Sequence, residues 1–358
     1  MSNNSKTYCL VMAGGKGTRL WPESTQDKPK QYLSLVGDGT LLSQTLNRFQ
    51  NIVPKEQRYI VTTMDQSELA KQCSEDLIEL DSFIYEPAGR NTAPCILLSL
   101  AAMEASGATD DDVIAVMPSD HVILDINGFQ STFNKAVELS KETSSITTIG
   151  IRPHFPHTGY GYIKKGDEVG EGYKVGEFVE KPNFSTAKEY LSTGDYFWNA
   201  GMFMATLGTF KREFAKHSAQ MFSFYNDLKN NINDFDKLTE VYNKVPEDSI
   251  DYAIMEKSET VTLVPANFDW NDLGSWEALE QVIDQDGDNT VVNAKSVYLK
   301  DAEGNVIYAP GKFVSLINVN DLVVVSNDKT LMVMPKKDAQ RVKEVVKHLK
   351  DSGEKELL

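Results

Sequence analysis

Short apolar runs recur at 8–12, 59–63, 113–117, 147–150 and 261–264 and read as strands. The long intervals between the early runs carry helical spacing instead, at 41–49 and 95–105. Strands alternating with helices predict an α/β fold on an open, mostly parallel sheet. In such sheets ligands lie beyond the carboxyl ends of the strands. Two polar segments fall at that edge. One is the glycine-rich turn after 8–12, and the other is Pro118-Ser119-Asp120-His121, which brings Asp120 out beside it.

After Asp284-Gln285-Asp286-Gly287-Asp288 the pattern changes. Short β segments at 296–299, 305–308, 313–317, 322–325 and 331–334, separated by Gly, Asn and Asp turns, predict a small β-rich domain. An amphipathic helix over 339–350 follows, with Val342, Val345, Val346 and Leu349 on one face. That face is expected to pack on its own chain or on a second subunit. The predicted division is 1–286 for a catalytic domain and 287–358 for the C-terminal one.

A chain of 358 residues is long for one core, which agrees with a large domain plus an appendage. The formal charge of −16, with Lys and Arg scattered, excludes a nucleic-acid surface. An acidic chain that binds a polyanion must gather its cations at one place. Cys9, Cys73 and Cys95 are widely spaced with no CxxC pair and read as reduced, buried thiols. The segment Met1-Ser2-Asn3-Asn4-Ser5-Lys6 is polar, and no apolar run approaches the ~18 residues needed to cross a bilayer. A cytoplasmic protein with no membrane partner is expected.

In Leu10-Val11-Met12-Ala13-Gly14-Gly15-Lys16-Gly17-Thr18-Arg19-Leu20 a strand runs into a turn holding three glycines and two cations. Glycines let backbone N–H groups approach an anion, and Lys16 and Arg19 bring charge to the same volume, so the turn predicts a nucleotide phosphate. Ala13, Gly14, Gly15, Lys16, Gly17 and Thr18 form the expected cradle. A phosphate loop of the NTPase kind needs four residues between its glycine and Gly-Lys-Ser/Thr. A dinucleotide fingerprint needs glycine where Leu20 stands. Neither spacing is present. With Pro29-Lys30-Gln31-Tyr32 downstream, the turn resembles the signature of the sugar-nucleotide pyrophosphorylases, and the likeness runs from about residue 8 to 350 with the motifs in family order.

The resemblance implies a Rossmann-like nucleotidyltransferase domain with a mostly parallel mixed sheet, and a β-helix-like C-terminal domain ending in a helix. Glu86-Pro87-Ala88-Gly89-Arg90-Asn91-Thr92 resembles the segment that sets mannose-1-phosphate guanylyltransferases apart within the family. Guanine offers N1–H and a 2-amino group as donors and O6 and N7 as acceptors, so Glu86 with Gly89, Arg90 and Asn91 suits it. The same residues also read as the cap of a helix beginning at Ala93-Pro94, and both readings stand. Ser119 joins the nucleotide set. Thr158-Gly159-Tyr160-Gly161-Tyr162, Val179-Glu180-Lys181-Pro182 and Trp198-Asn199-Ala200-Gly201 resemble sugar-binding segments, with Gly161, Glu180, Lys181 and Asn199 as contacts. Each alone would be an ordinary loop.

By the same likeness Asp120 and Asp272, the latter in Trp270-Asn271-Asp272-Leu273-Gly274, are ligands of Mg²⁺. That ion prefers hard oxygens and is usually held by one or two carboxylates plus substrate phosphates. Asp110-Asp111-Asp112 precedes its strand and reads as a solvated acidic face. His121, His154 and His157 read as structural or as supports for a neighbouring site residue. The resemblance implies GTP and mannose 1-phosphate as substrates and a homodimer as the assembly. Arg19 and Lys16 would hold the triphosphate, Lys30 the α-phosphate or leaving group, and Lys181 the attacking phosphate. A different hexose or heptose 1-phosphate and a silent sugar-nucleotide-binding paralogue are the alternatives. Longer relatives continue into a cupin-type isomerase, and no isomerase activity is expected of these 358 residues.

Overall fold

Strands that are apolar on both sides need cover on both sides, and that requirement organises most of the chain. The computed structural model describes residues 5–15, 17–283 and 287–358. Strands β1 (Thr7–Met12), β2 (Arg58–Thr63), β3 (Phe83–Glu86), β4 (Val113–Pro118), β5 (Ile146–Ile151), β6 (Tyr162–Val169), β7 (Gly172–Val179), β8 (Tyr196–Thr206) and β9 (Val261–Pro265) form one sheet. Its order is β3-β2-β1-β4-β8-β5-β9-β7-β6. The strands β3, β2, β1 and β4 pair in parallel, as do β5 and β9. β8 runs against β4 and β5, and β7 against β6 and β9. The sheet is therefore mixed, with β7 and β8 opposed to the rest.

Alternation along the central strands feeds two cores. Leu10, Ile114 and Val116 point to one side, under the helix Thr92–Ala105, which is buried nearly all round. Cys9, Val11, Val113 and Ala115 point to the other, under the amphipathic helix Ile126–Thr143. The carboxyl ends of β1, β3 and β4 consequently open on one edge. No helix among the described residues is long and apolar enough to cross a membrane.

A second sheet contains β10 (Thr290–Lys300), β11 (Val306–Ile317), β12 (Leu322–Ser326) and β13 (Leu331–Pro335). The first three are parallel although only short turns join them: Thr290 pairs with Val306, and Val306 with Val323. Such pairing requires the chain to turn a corner inside each long strand. It does so where the β10–β11 register shifts, between Val291 and Ser296, and at Gly311, whose φ is +73°. Fully buried Asn305 fixes one corner by donating to Asn289 Oδ1 at 2.8 Å and accepting from Leu322 N at 3.0 Å. β13 then closes the sheet antiparallel to β12.

This small sheet does not stand apart. Val306, Tyr308, Val323 and the helix Val342–Ser352 share one core with Leu20, Trp21, Leu273 and Trp276. Trp276 Nε1 donates to Trp21 O at 3.0 Å, and Trp21 Nε1 donates to Leu357 O at 2.7 Å. The C-terminal segment thereby braces the chain just beyond the glycine turn.

Several expectations change. β11 joins two segments expected to be separate, because Pro310-Gly311 bends the strand without ending it. Trp198-Asn199-Ala200-Gly201, which alone would read as an ordinary loop, lies inside β8. The C-terminal helix starts at Val342, after a 3₁₀ turn over Lys336–Arg341, and Val345 is 37 % exposed, off the packed face. Asp112 is buried, capping Lys6 N and Thr109 N, so only part of that acidic run is solvated. Cys73 is half-buried, unlike Cys9 and Cys95. The expected boundary at 286/287 abuts residues 284–286, which lie outside the described residues.

Leu349 is only 6 % exposed, so Leu349→Ala should cost about 2–4 kcal/mol. Val345→Ala should cost less than ~1 kcal/mol. Urea unfolding of the two variants checks this, and equal losses would contradict the packing described.

Candidate active site

The turn after β1 is open because its carbonyls are tied back. The Gln31 side-chain amide donates to the main-chain oxygens of Ala13 at 2.9 Å and Gly15 at 2.8 Å, and Thr62 Oγ1 donates to Ala13 O at 3.1 Å. Among the described residues the N–H groups of Gly14 and Gly15 have no acceptor. Such a turn suits an anion. Gly17 has φ +45°, and a Cβ there would sit 2.5 Å from Lys30 Cβ, so only glycine lets the turn close over Lys30. Lys16 lies outside the described residues. Arg19, in the 3₁₀ turn Thr18–Leu20, has no ion pair among the described residues.

Lys30 is 7 % exposed. Its Nζ donates to Asp120 Oδ2 at 2.9 Å and to the main-chain oxygen of Asp272. One ammonium thus joins the segment after β4 to the segment after β9. An antiparallel bridge clips the same two segments, with Val122 N to Asn271 O at 2.9 Å and Asn271 N to Val122 O at 3.0 Å. Burial alone would push the Asp120 carboxyl up, but the Lys30 ammonium and neighbouring His121 hold it below its ordinary value. Burial pushes the His121 imidazole down to about 4, and its Nδ1 accepts from Trp270 Nε1 at 3.1 Å, so it is neutral near pH 7.

The donor set suits a divalent cation that also binds phosphate. Asp272 Oδ1 accepts from Tyr160 OH at 2.6 Å and Gly274 N at 3.1 Å, while its Oδ2 has no hydrogen bond among the described residues. Asp120 Oδ1 has His121 Nε2 at 3.8 Å. Each carboxylate keeps one hard oxygen open. Among the described residues there is no group of three or more His, Cys, Asp or Glu side chains able to hold a metal by themselves, so further ligands would have to come from substrate and water.

Two cavities adjoin at this point, sharing Met12, Thr92 and Pro118. One, of about 350 Å³, is lined by Gly14, Gly15, Glu86, Gly89, Asn91, Ser119 and Asp120. Glu86 is 4 % exposed; its Oε1 accepts from Tyr242 OH and, at 3.3 Å, from Arg90 N. Burial pushes its carboxyl up, against those two bonds. The other cavity, of about 230 Å³, is lined by Gly161, Glu180, Asn199, Asp251, Asp272 and the rings of Tyr160 and Trp270. Lys181, at φ +48°, turns its ammonium back onto Glu180 Oε1.

Comparison with known proteins matches this layout. A nucleotidyl transferase family model matches residues 8–289, and a model of the MannoseP isomerase/GMP-like beta-helix domain matches 294–349. A mannose-1-phosphate guanylyltransferase of Salmonella muenchen is 35 % identical over 357 residues, covering 98 % of this chain and 75 % of its own. One from Escherichia coli is 34 % identical over 361 residues, covering 98 % and 75 %. The chain belongs to the mannose-1-phosphate guanylyltransferases. A Thermus thermophilus crystal structure, described as a mannose-1-phosphate geranyltransferase, superposes with a TM-score of 0.89 at 38 % identity, covering 96 % of this chain and 99 % of its own.

Among the residues expected to serve this guanylyltransferase, the fold gathers Gly14, Gly15, Glu86, Gly89, Asn91, Ser119 and Asp120 at one cavity and Gly161, Glu180, Asn199 and Asp272 at the next. It does not bring Arg19, Lys30, Lys181 or Arg90 into either lining; the Arg90 guanidinium donates through Nε to Val245 O at 3.0 Å. Ala13, Gly17 and Thr18 shape the turn without lining a cavity. Two polar residues at the site carry no motif, Tyr242 behind Glu86 and Asp251 beside Asn199. Their local sequence gives no more than a polar group inside a buried run.

Gly17→Ala should displace Lys30 and lower turnover on the order of 10²-fold or more, with the melting transition retained. A folded Gly17→Ala chain with near-normal turnover would show that closure on Lys30 is dispensable.

Proposed function

We propose that the chain transfers GMP from GTP to α-D-mannose 1-phosphate, releasing pyrophosphate and forming GDP-mannose, by direct in-line attack. The observation that carries this reading is the pair of adjoining cavities that share Met12, Thr92 and Pro118 and whose acidic residues, Asp120 and Asp272, are tied together by Lys30. One presents a buried carboxylate and phosphate-binding amides, the other a set of hydroxyl-binding side chains. Glu86 Oε2, on the Gly14 side, is suited to accept from guanine N1–H and the 2-amino group.

The attacking group is a phosphate oxygen, an anion at neutral pH, so no general base is needed. His121, neutral and engaged by Trp270, fits that absence. The oxygen of the sugar phosphate forms a bond to the α-phosphorus as the bond to pyrophosphate breaks, and the leaving electrons end on pyrophosphate. Such a step asks for positioning and charge neutralisation. Arg19, unpaired among the described residues, holds the triphosphate in this reading, with Lys16 beside it. Lys30 holds the α-phosphate or the leaving group, and Lys181 leaves Glu180 to meet the attacking phosphate. Asp120 and Asp272 would hold Mg²⁺, which neutralises phosphate oxygens when bound. Residues 1–286 carry this chemistry in our division of the chain and 287–358 brace it.

Pyrophosphate release should be greatest for GTP with mannose 1-phosphate when each nucleoside triphosphate is crossed with mannose, glucose and heptose 1-phosphates. A preference for another pair would replace the substrate assignment. Chelator should abolish turnover and Mg²⁺ restore it, whereas a folded Asp272→Asn chain with near-normal turnover would remove the metal assignment.

A further inference from the structure

The sugar cavity has a third polar wall that no sequence motif marks. The chain makes a single π-turn over Asp251–Met255, a geometry that concentrates at functional sites. The turn is anchored to the nucleotide side, since Ile250 N donates to Thr92 Oγ1 at 2.8 Å and Ala93 N donates to Asp248 O at 3.1 Å. It is also anchored to the sugar side. Asn199 Nδ2 donates to Asp251 Oδ1 at 3.0 Å, and Glu180 N donates to Glu256 Oε1 at 3.0 Å. Asp251 lines the same cavity as Glu180 and Asn199.

We propose that Asp251 is a specificity-determining residue of the sugar cavity, which accepts hydrogen bonds from a ring hydroxyl of the sugar 1-phosphate beside Glu180 and Asn199. This rests on the reading of that cavity as the sugar site. Its Oδ1 is occupied by Asn199, and no other residue donates to its Oδ2 among the described residues, which adds an acceptor to the cavity that Glu180 and Asp272 also line. The amide of Asn199 is oriented by its own acceptor oxygen, which takes Gly201 N at 3.0 Å and Thr148 Oγ1 at 3.3 Å, so Asn199 can only donate toward Asp251. The pair therefore presents a fixed order of donor and acceptor, which is what tells one hydroxyl arrangement from another.

Electrostatics agree with the geometry. Burial and the facing Glu180 push the Asp251 carboxyl up to about 7, with Lys181 and the Asn199 bond acting in the other direction. Glu256 lies on the same turn, and His121, Tyr160 and Asp272 are the remaining titratable groups of the cavity. A carboxyl raised in the folded chain contributes stability below its ordinary range and loses it as pH rises through about 7. Removing the charge should then leave the unliganded fold no less stable above that pH, as befits a group held there for binding.

The test compares wild type with Asp251→Asn and Asp251→Ala, using GTP with mannose 1-phosphate and its 2-, 3-, 4- and 6-deoxy analogues. Asp251→Ala should raise the sugar-phosphate KM on the order of 10–100-fold while the GTP KM stays within about twofold. One deoxy analogue should give the same KM for wild type and Asp251→Ala, because it lacks the hydroxyl concerned. For Asp251→Asn the ratio of sugar KM to the wild-type value should widen as pH rises through about 7, and its melting temperature above that pH should be no lower than that of wild type. A sugar KM unchanged in folded variants, a loss shared equally with GTP, or a loss that persists on every deoxy analogue would overturn the assignment. A wild-type chain inactive on every sugar 1-phosphate would overturn the underlying reading of the cavity, and the proposal with it.

Discussion

A buried ammonium must be paired and hydrogen-bonded, and in this chain Lys30 finds a carboxylate and a main-chain carbonyl on two segments far apart in sequence. Asp120 follows β4, Asp272 follows β9, and Lys30 itself follows the glycine turn of β1. Much of the site is arranged around that contact. Gly17 must lack a side chain because Lys30 occupies the space. The Val122–Asn271 bridge keeps the two acidic segments in register. Leu273, beside the ligand candidate Asp272, holds φ +43° with Asn271 Oδ1 accepting its N–H at 2.7 Å, a strained conformation maintained by local bonding. An acidic chain of formal charge −16 has thus buried a neutralised cation between the segments that follow β4 and β9.

The second constraint is continuity between the cavities. Thr92 begins a buried helix on the nucleotide side and accepts from Ile250 on the sugar side. The π-turn that begins at Asp251 is therefore held by residues that line the two cavities. On the opposite side of the site, the β-rich C-terminal segment shares a core with Leu20, Trp21, Leu273 and Trp276. It contributes no residue to either cavity, but the turn bearing Arg19 and the segment bearing Asp272 both rest against it. Stability in this part of the molecule and order at the site are consequently the same property.

Much of this was legible in the sequence because glycine, charge and apolar periodicity act locally. The strand into Gly14-Gly15, the strand before Asp120 and the helix after Asn91 each follow from a few neighbouring residues. What was not legible depends on distant packing. β8 looks like a loop at Trp198-Asn199-Ala200-Gly201 because its glycine and asparagine are turn formers, yet pairing with β4, β5 and β6 makes it a central strand. β6 and β7 are polar because much of this hairpin is exposed. Val345 sits three residues after Val342 along the helix, yet the core that buries Val342, Val346 and Leu349 leaves it partly in solvent. Asp251 acquires its meaning only from Asn199, Glu180 and Thr92, none of them nearby in sequence.

The proposed reaction asks the protein for placement and charge alone, with no side chain bonded to phosphorus at any stage. The stereochemical course at the α-phosphorus tests that most directly. A GTP analogue made chiral at the α-phosphate by sulfur substitution, turned over with mannose 1-phosphate, should give product of inverted configuration, as one in-line displacement requires. Retention would mean two displacements through a covalent nucleotidyl enzyme and would contradict the mechanism.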